Sequence, residues 1–355
     1  MQQHGGGWQA RGRGDDGADV VARATEAGLG RGNGASRPGA REGELGRGAA
    51  QPSEIPRRGW WQILKRTASE VSRDNISLIA AGVAFYALLA IAAALAAAIA
   101  LWGFFASPAD VQQQLAQLAA VLPSDAAATF EEQLRGVASR SSQALGWTAL
   151  VGFALSLWSA RLAVNSMIGA LNIVYEEEER RGFLKLSAIS VLLTLAVLTG
   201  GLVALLLVAV VPAVLELVGL GGSAELVVHA LRWVALCALV LFGLAVLYRL
   251  GPSRRRAQWR WVSWGAAAAT LLWLVASAGF SLFVANFGSY GETYGAIGGV
   301  VVLLTWLWIS AFVALVGAEL NSEMEHQTAQ DTTVGGTRPL GQRGAWSADH
   351  VAGEG

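Results

Sequence analysis

The chain has 355 residues, 54% apolar and only 15% charged, with 26 Lys and Arg against 26 Asp and Glu. A typical soluble domain carries about 25% charged residues. Here the deficit is concentrated, and it excludes an ordinary soluble fold. No Asp, Glu, Lys or Arg falls between Asp74 and Asp110, Lys185 and Glu216, Arg260 and Glu292, or Glu292 and Glu319. Each gap exceeds the roughly 20 apolar residues that cross a bilayer as a helix.

Residues 1–55 are rich in Gly, Arg and Ala without periodicity and read as a disordered tail. They contain no apolar run of signal-peptide length. Acids are mixed among the arginines and aromatic residues are not interleaved, so nucleic acid is not an expected partner. Residues 56–75 follow as an amphipathic interfacial helix. Trp60, Leu64, Ala68 and Val71 share one face, and Lys65, Arg66 and Arg73 lie elsewhere.

The apolar pattern predicts an all-α polytopic membrane protein with six spans within residues 76–321. The spans are placed at about 76–105, 147–175, 186–212, 227–248, 262–286 and 296–318. Between the first two, Val111, Leu115, Leu118 and Leu122 and then Phe130, Leu134 and Val137 step at helical spacing. They predict a short extracytoplasmic helical pair broken at Pro123-Ser124-Asp125. Residues 327–355 read as a second loose tail.

Orientation follows from Lys and Arg in short loops. Arg57, Arg58, Lys65, Arg66 and Arg73 flank the first span. Arg180, Arg181 and Lys185 follow the second, and Arg249, Arg254, Arg255, Arg256 and Arg260 follow the fourth. Six spans put all three groups on one side, with both termini cytoplasmic. Trp60, Trp61, Trp147, Trp259, Trp261 and Trp264 fall at the expected interfaces.

Arg161 stands in the middle of the second span, where a guanidinium at the bilayer midplane costs about 2.5–3.5 kcal/mol. Asn165 and Asn172 share its face approximately. The three read either as the lining of a path for an anionic or lipid-like substrate, or as a buried cation satisfied by carbonyls or an acid of another helix. Glu225, His229 and Arg232 step by four and three at the outer start of the fourth span. They form an ion-pair ladder or an outer vestibule. Glu319 and Asn321 mark the cytoplasmic end of the sixth span and are expected to pair with the basic loop 249–260. Gly291, Gly295 and Gly299 repeat every fourth residue, as in close helix packing, with a hinge as the other reading.

Enzyme chemistry finds little support. His4, His229, His326 and His350 share no ligand spacing, Asp15, Asp16 and Asp19 lie in the first tail, and Cys237 is the single cysteine. No catalytic residue, metal site or cofactor is expected. The chain has no GxxxxGK[ST] loop, so transport would be passive, ion-driven or powered by a partner. Membrane lipids are expected partners, and a homo-oligomer is compatible with the sequence.

Several stretches resemble the YihY/BrkB family of bacterial inner-membrane proteins. The stretch "YGAIGGVVVLLTWLWISAFVALVGAELNSEME", residues 294–325, is similar to that family's C-terminal signature. "DNISLIAAGVAFYALLA" resembles its first span, Trp158, Leu171-Asn172 and Tyr175 its second, and "LYRLGPSRRRAQWRWVSWGAA" its fourth-to-fifth connection. Together they run from about Trp60 to Glu325. Family members commonly carry Ser and Pro shortly after the Tyr of the first span. This chain has Ala90-Ile91-Ala92-Ala93 there, so no proline bend is expected. The resemblance implies a six-helix membrane protein under old "ribonuclease BN" and "virulence factor" labels. Transport or flipping of an anionic or amphiphilic envelope substrate is the leading expectation. A membrane scaffold for envelope machinery is the alternative, and ribonuclease activity is disfavoured.

Overall fold

The computed structural model describes residues 45–105, 151, 158, 161–212, 223–286 and 289–352, and these form a helical bundle. Helix α1 (Arg57–Arg73) meets α2 (Ile76–Phe105) at a break of 64°. The break is made by Asn75, which adopts φ 53. Asn tolerates that left-handed conformation because its short polar side chain bonds locally. Here its amide donates to the Arg73 carbonyl at 3.2 Å.

Helix α3 (Arg161–Val174) precedes α4 (Phe183–Leu205), which continues through a π turn at Leu206–Val210. Then come α5 (Ser223–Leu250), α6 (Trp259–Asn286), α7 (Ser289–Gln327) and the short α8 (Trp346–Asp349). Among the described residues, Phe183–Val210, Leu226–Leu250, Trp259–Asn286 and Gly298–Gln327 are long and apolar enough to cross a membrane, and α1 with α2 would make a fifth bent span. The helical pair expected over 107–142 and the start of the second span lie outside the described residues.

The spans turn large apolar side chains outward. Leu184 is 82% exposed and Val275 73%. Such surfaces are stable only against lipid, because an exposed apolar area this wide drives association in water. Helix α7 packs on α6, α2 and α1. The core where they meet includes Ile76, Ala80, Leu171, Val174, Val262, Ala266, Leu315 and Ala318.

The closest approach of α6 and α7 is at Gly265 and Gly317. A Cβ on Gly317 would lie 2.5 Å from the Ala269 methyl and 2.7 Å from the Tyr248 hydroxyl. This close approach uses glycines other than those of the expected repeat. Gly299 faces open space, and the surroundings of Gly291 and Gly295 lie outside the described residues.

Helix α1 buries Gly59, Ile63 and Thr67, one residue out of phase with the expected stripe. Leu64 and Ala68 are exposed, and Trp60 is half-buried against Trp264 with ring centres 5.7 Å apart. The difference has a geometric cause. Gly59 sits against the Leu45 carbonyl, where no side chain fits, so α1 docks through its small residues. Trp61 and Leu64 are left facing outward. Trp261, expected at an interface, is instead 1% exposed and packs with Ile63 and Met324.

Two segments expected to be loose are packed on the end of the bundle that carries the Arg-rich loops. Gln327 Nε2 donates to the Leu45 carbonyl at 2.7 Å, Thr328 Oγ1 to the Ala49 carbonyl at 2.6 Å, and Ala329 N to the Arg47 carbonyl at 2.8 Å. Residues 45–55 and 327–352 thus fold together. Within residues 327–352 the organiser is Arg343, 4% exposed, whose guanidinium donates to the carbonyls of Ala329, Gln330, Arg338 and Ala348. Polar segments of small residues can order without a core of their own when their backbone groups are satisfied in this way.

Candidate functional site

Arg161 opens α3 and is 7% exposed. Its guanidinium carbon lies 4.3 Å from the centre of the Trp158 ring and 5.5 Å from that of Phe183. Cation–π contacts of this kind contribute about 0.5–2 kcal/mol, yet they use none of the N–H groups. Its Nε and Nη1 are buried without a hydrogen-bond partner among the described residues, and so is Asn165 Oδ1. Phe183 begins α4, which sets the guanidinium beside the first turn of that helix rather than its middle. Both flanking rings face outward, Trp158 54% and Phe183 67% exposed. The arrangement is a desolvated cation with free donors, framed by aromatic faces at the rim of the bundle.

Asn172, expected to continue the polar stripe, has a different role. Its Oδ1 accepts the Ser253 N–H at 2.8 Å and its Nδ2 donates to Glu179 at 3.1 Å. It clips the α5–α6 loop to the end of α3. That end closes with the Glu176 N–H on the Ile173 carbonyl and the Glu177 N–H on the Asn172 carbonyl. This is a Schellman cap, with Glu176 at φ 52 in the position usually given to Gly.

Glu179 is gripped by Arg181, whose Nε and Nη2 reach its two oxygens at 2.7 and 2.6 Å. That fork, with smaller help from Asn172, holds the Glu179 carboxyl down at about 2. Arg181 also donates to the Gly251 carbonyl at 2.8 Å. Burial pushes the neighbouring Glu177 carboxyl up, partly offset by the Trp346 N–H that it accepts at 2.7 Å.

The expected pairing of Glu319 with the basic loop is not what forms. Glu319 is 2% exposed among the carboxylates of Asp74, Glu323 and Glu70. Glu325, nearly two turns on, takes Arg254 in a two-armed bridge at 3.0 and 2.8 Å. The side chains are 1% and 0% exposed, and Tyr175 lies over the guanidinium at 4.1 Å. Asn321 turns to α6 instead. Its Oδ1 accepts the Gly265 N–H at 2.8 Å and its Nδ2 donates to the Val262 carbonyl at 3.2 Å. Close approach at Gly317 and this amide clamp at Asn321 lock α6 to α7.

Of the expected outer vestibule, Arg232 lies 5.8 Å from the Trp233 ring with its Nε buried and unpartnered among the described residues. His229 is half-buried one turn before it, and the surroundings of Glu225 lie outside the described residues. Among the described residues no three His, Cys, Asp or Glu are grouped to hold a metal ion.

Sequence reasoning missed a cleft of about 980 Å³ at the end carrying the basic loops. Its walls are residues 176–185, the α5–α6 loop and the return segment around Trp346. Seven Arg or Lys side chains line it against four carboxylates. The clustering of Arg180, Arg181 and Lys185 and of Arg254, Arg255 and Arg256 was visible in the sequence. Their convergence on one cavity was not.

The sequence pattern of the family described as "Virulence factor BrkB" matches residues 67–339. The chain is 34% identical over 175 residues to "Putative ribonuclease-like protein YfkH" of Bacillus subtilis, covering 48% of this chain and 63% of that protein. It is 36% identical over 104 residues to a UPF0761 membrane protein of Tolumonas auensis, covering 29% and 32%. A UPF0761 membrane protein of Pseudoalteromonas translucida is 25% identical over 283 residues, covering 77% and 88%. The first two matches thus span less than two thirds of those proteins' own lengths. No solved structure matches.

Proposed function

The chain belongs to the BrkB virulence-factor family of multi-pass bacterial membrane proteins, and on that premise we propose that it moves an anionic or amphiphilic envelope molecule across or between the leaflets of the bilayer. The observation that carries this reading is Arg161, a buried guanidinium with two donor atoms that have no partner among the described residues, between two outward-facing rings. A buried cation on an apolar helix of a membrane protein is a functional-site hypothesis by default, and a guanidinium fork suits a phosphate or carboxylate. Asn165, with its free oxygen one turn on, extends the same face. Asn172 drops out of the lining because both ends of its amide are committed. Six spans with both termini cytoplasmic belong to the same proposal, supported by the side on which the Lys and Arg of the short loops gather.

Purified protein in phosphatidylcholine vesicles carrying tail-labelled phosphatidylglycerol tests it, by the fraction of label that membrane-impermeant reductant reaches. The wild type should expose the inner-leaflet label. Arg161→Ala should slow this at least tenfold at equal abundance, and Arg161→Lys should keep part of the rate. No movement of label by the wild type, or equal rates for wild type and Arg161→Ala, would refute the proposal for this lipid class. The packed polar end formed by residues 45–55 and 327–352 favours the competing reading, a scaffold for envelope machinery. A scaffold would show no label movement in any variant.

A further inference from the structure

The basic cleft is separate from Arg161, and its charges do not cancel once each hydrogen bond is assigned. Arg181 and Arg254 are committed to Glu179 and Glu325, Arg255 is held by the Gly336 carbonyl and Asp331, and the three serve as frame. On the acidic side, Glu177 accepts the Trp346 N–H, and Asp349 accepts the N–H groups of Arg343 and Gly344. The exposed Arg180, Lys185 and Arg256 make no ion pair among the described residues. Arg249 uses only Nε, on the Ala257 carbonyl at 3.2 Å, while its guanidinium lies 4.4 Å from the Trp259 ring. Four cations with free donors thus face two exposed carboxylates, Glu176 and Glu178.

The start of α4 adds to this field. Gly182, its N-cap, lines the cleft and offers no side-chain cap, so first-turn N–H groups remain open at the rim. Along α4, Lys185, Ile189 and Leu192 fall at i, i+4 and i+7, one face of the helix, and all three line the cleft. Leu192 is 57% exposed on the apolar flank. A cationic floor therefore runs continuously into a lipid-facing ramp.

We infer that this cleft binds a phosphate-bearing anionic headgroup, with Arg180, Lys185, Arg249 and Arg256 on the phosphate and Ile189 and Leu192 under whatever apolar chain the ligand carries. The site requires the fold alone. It holds whether or not Arg161 lines a path.

The experiment titrates the full chain in uncharged detergent with dihexanoyl phosphatidylglycerol, dihexanoyl phosphatidylcholine and glycerol 3-phosphate, reading affinity by calorimetry. The phosphatidylglycerol should bind at least tenfold more tightly than the zwitterionic lipid. Arg180→Gln, Lys185→Gln and Arg256→Gln together should weaken it roughly hundredfold, from about 1 kcal/mol per basic residue. Lys185→Gln alone should weaken it about fivefold, which keeps the test open if the triple variant folds poorly. Tighter binding of the short-chain lipid than of glycerol 3-phosphate assigns a lipid source, and equal binding assigns a soluble phosphate. The cleft variants are read by affinity and Arg161→Ala by label movement, so this site and the transport proposal fail separately. Equal binding of both lipids, or wild-type affinity in the triple variant, overturns the inference.

Discussion

Replacing Glu325 by Ala strands the Arg254 guanidinium in a site where its side chain is 1% exposed. Two charge-assisted hydrogen bonds at 3.0 and 2.8 Å disappear, and the Thr332 hydroxyl loses the acceptor it holds at 2.7 Å. Breaking a buried pair by removing one partner costs about 3–5 kcal/mol, because the remaining charge stays desolvated. The orphaned hydroxyl adds about 1 kcal/mol. Glu325→Ala should therefore destabilise by about 5 kcal/mol, a fall in Tm of about 10 °C at roughly 2 °C per kcal/mol for a chain this large. The double variant Arg254→Leu with Glu325→Leu removes both desolvation penalties and should stay within about 3 °C of wild type. Thermal unfolding in detergent, followed by tryptophan fluorescence, measures both. If the double variant falls as far as Glu325→Ala, or Glu325→Ala falls by under about 2 °C, the pair is not the buried tie described.

Asn321→Ala should cost about 2 kcal/mol, by removing two hydrogen bonds, to the Gly265 N–H and the Val262 carbonyl, from a buried seam. Asn321→Asp, which keeps the acceptor, should fall between it and wild type in the same unfolding assay, and no loss in either would discount the clamp. Arg343→Ala should release the return segment, because four backbone carbonyls lose one shared donor. Proteolysis within residues 328–350 should quicken at least tenfold while helix content by circular dichroism is unchanged, and an unchanged cleavage rate would contradict it. Acid should loosen the α3–α4 turn in a defined window. The Glu179 carboxyl is depressed from 4.5 to about 2 by Arg181, so its contribution is complete above pH 4.5 and is lost as pH falls towards 2. Glu179→Gln should abolish that part of the pH dependence, read as hydrogen exchange of the Arg181 and Ser253 amides.

Membership of the membrane class was written in one dimension. Four charge-free runs longer than a bilayer needs state the solvent that each segment prefers, and that preference survives any packing. The polar stretch Gly317 to Asn321 was legible as a special place for the same reason, since Glu and Asn beside an apolar span need partners. The identity of those partners was decided by rotation and register. Arg254 is 71 residues from Glu325 and 65 from Glu319. Which acid meets it depends on how α7 is turned against the α5–α6 loop. The glycines at the crossing are Gly265 and Gly317 on different helices, a pairing that no periodicity within one helix can announce, whereas Gly299, the last of a conspicuous repeat, faces open space. Residues 327–352 have the composition of a loose tail, and they fold because one Arg343 collects carbonyls brought together only in three dimensions. Composition reports what each segment gains by leaving water. Which polar atoms meet is a property of distances between segments, and those exist only once the helices have packed.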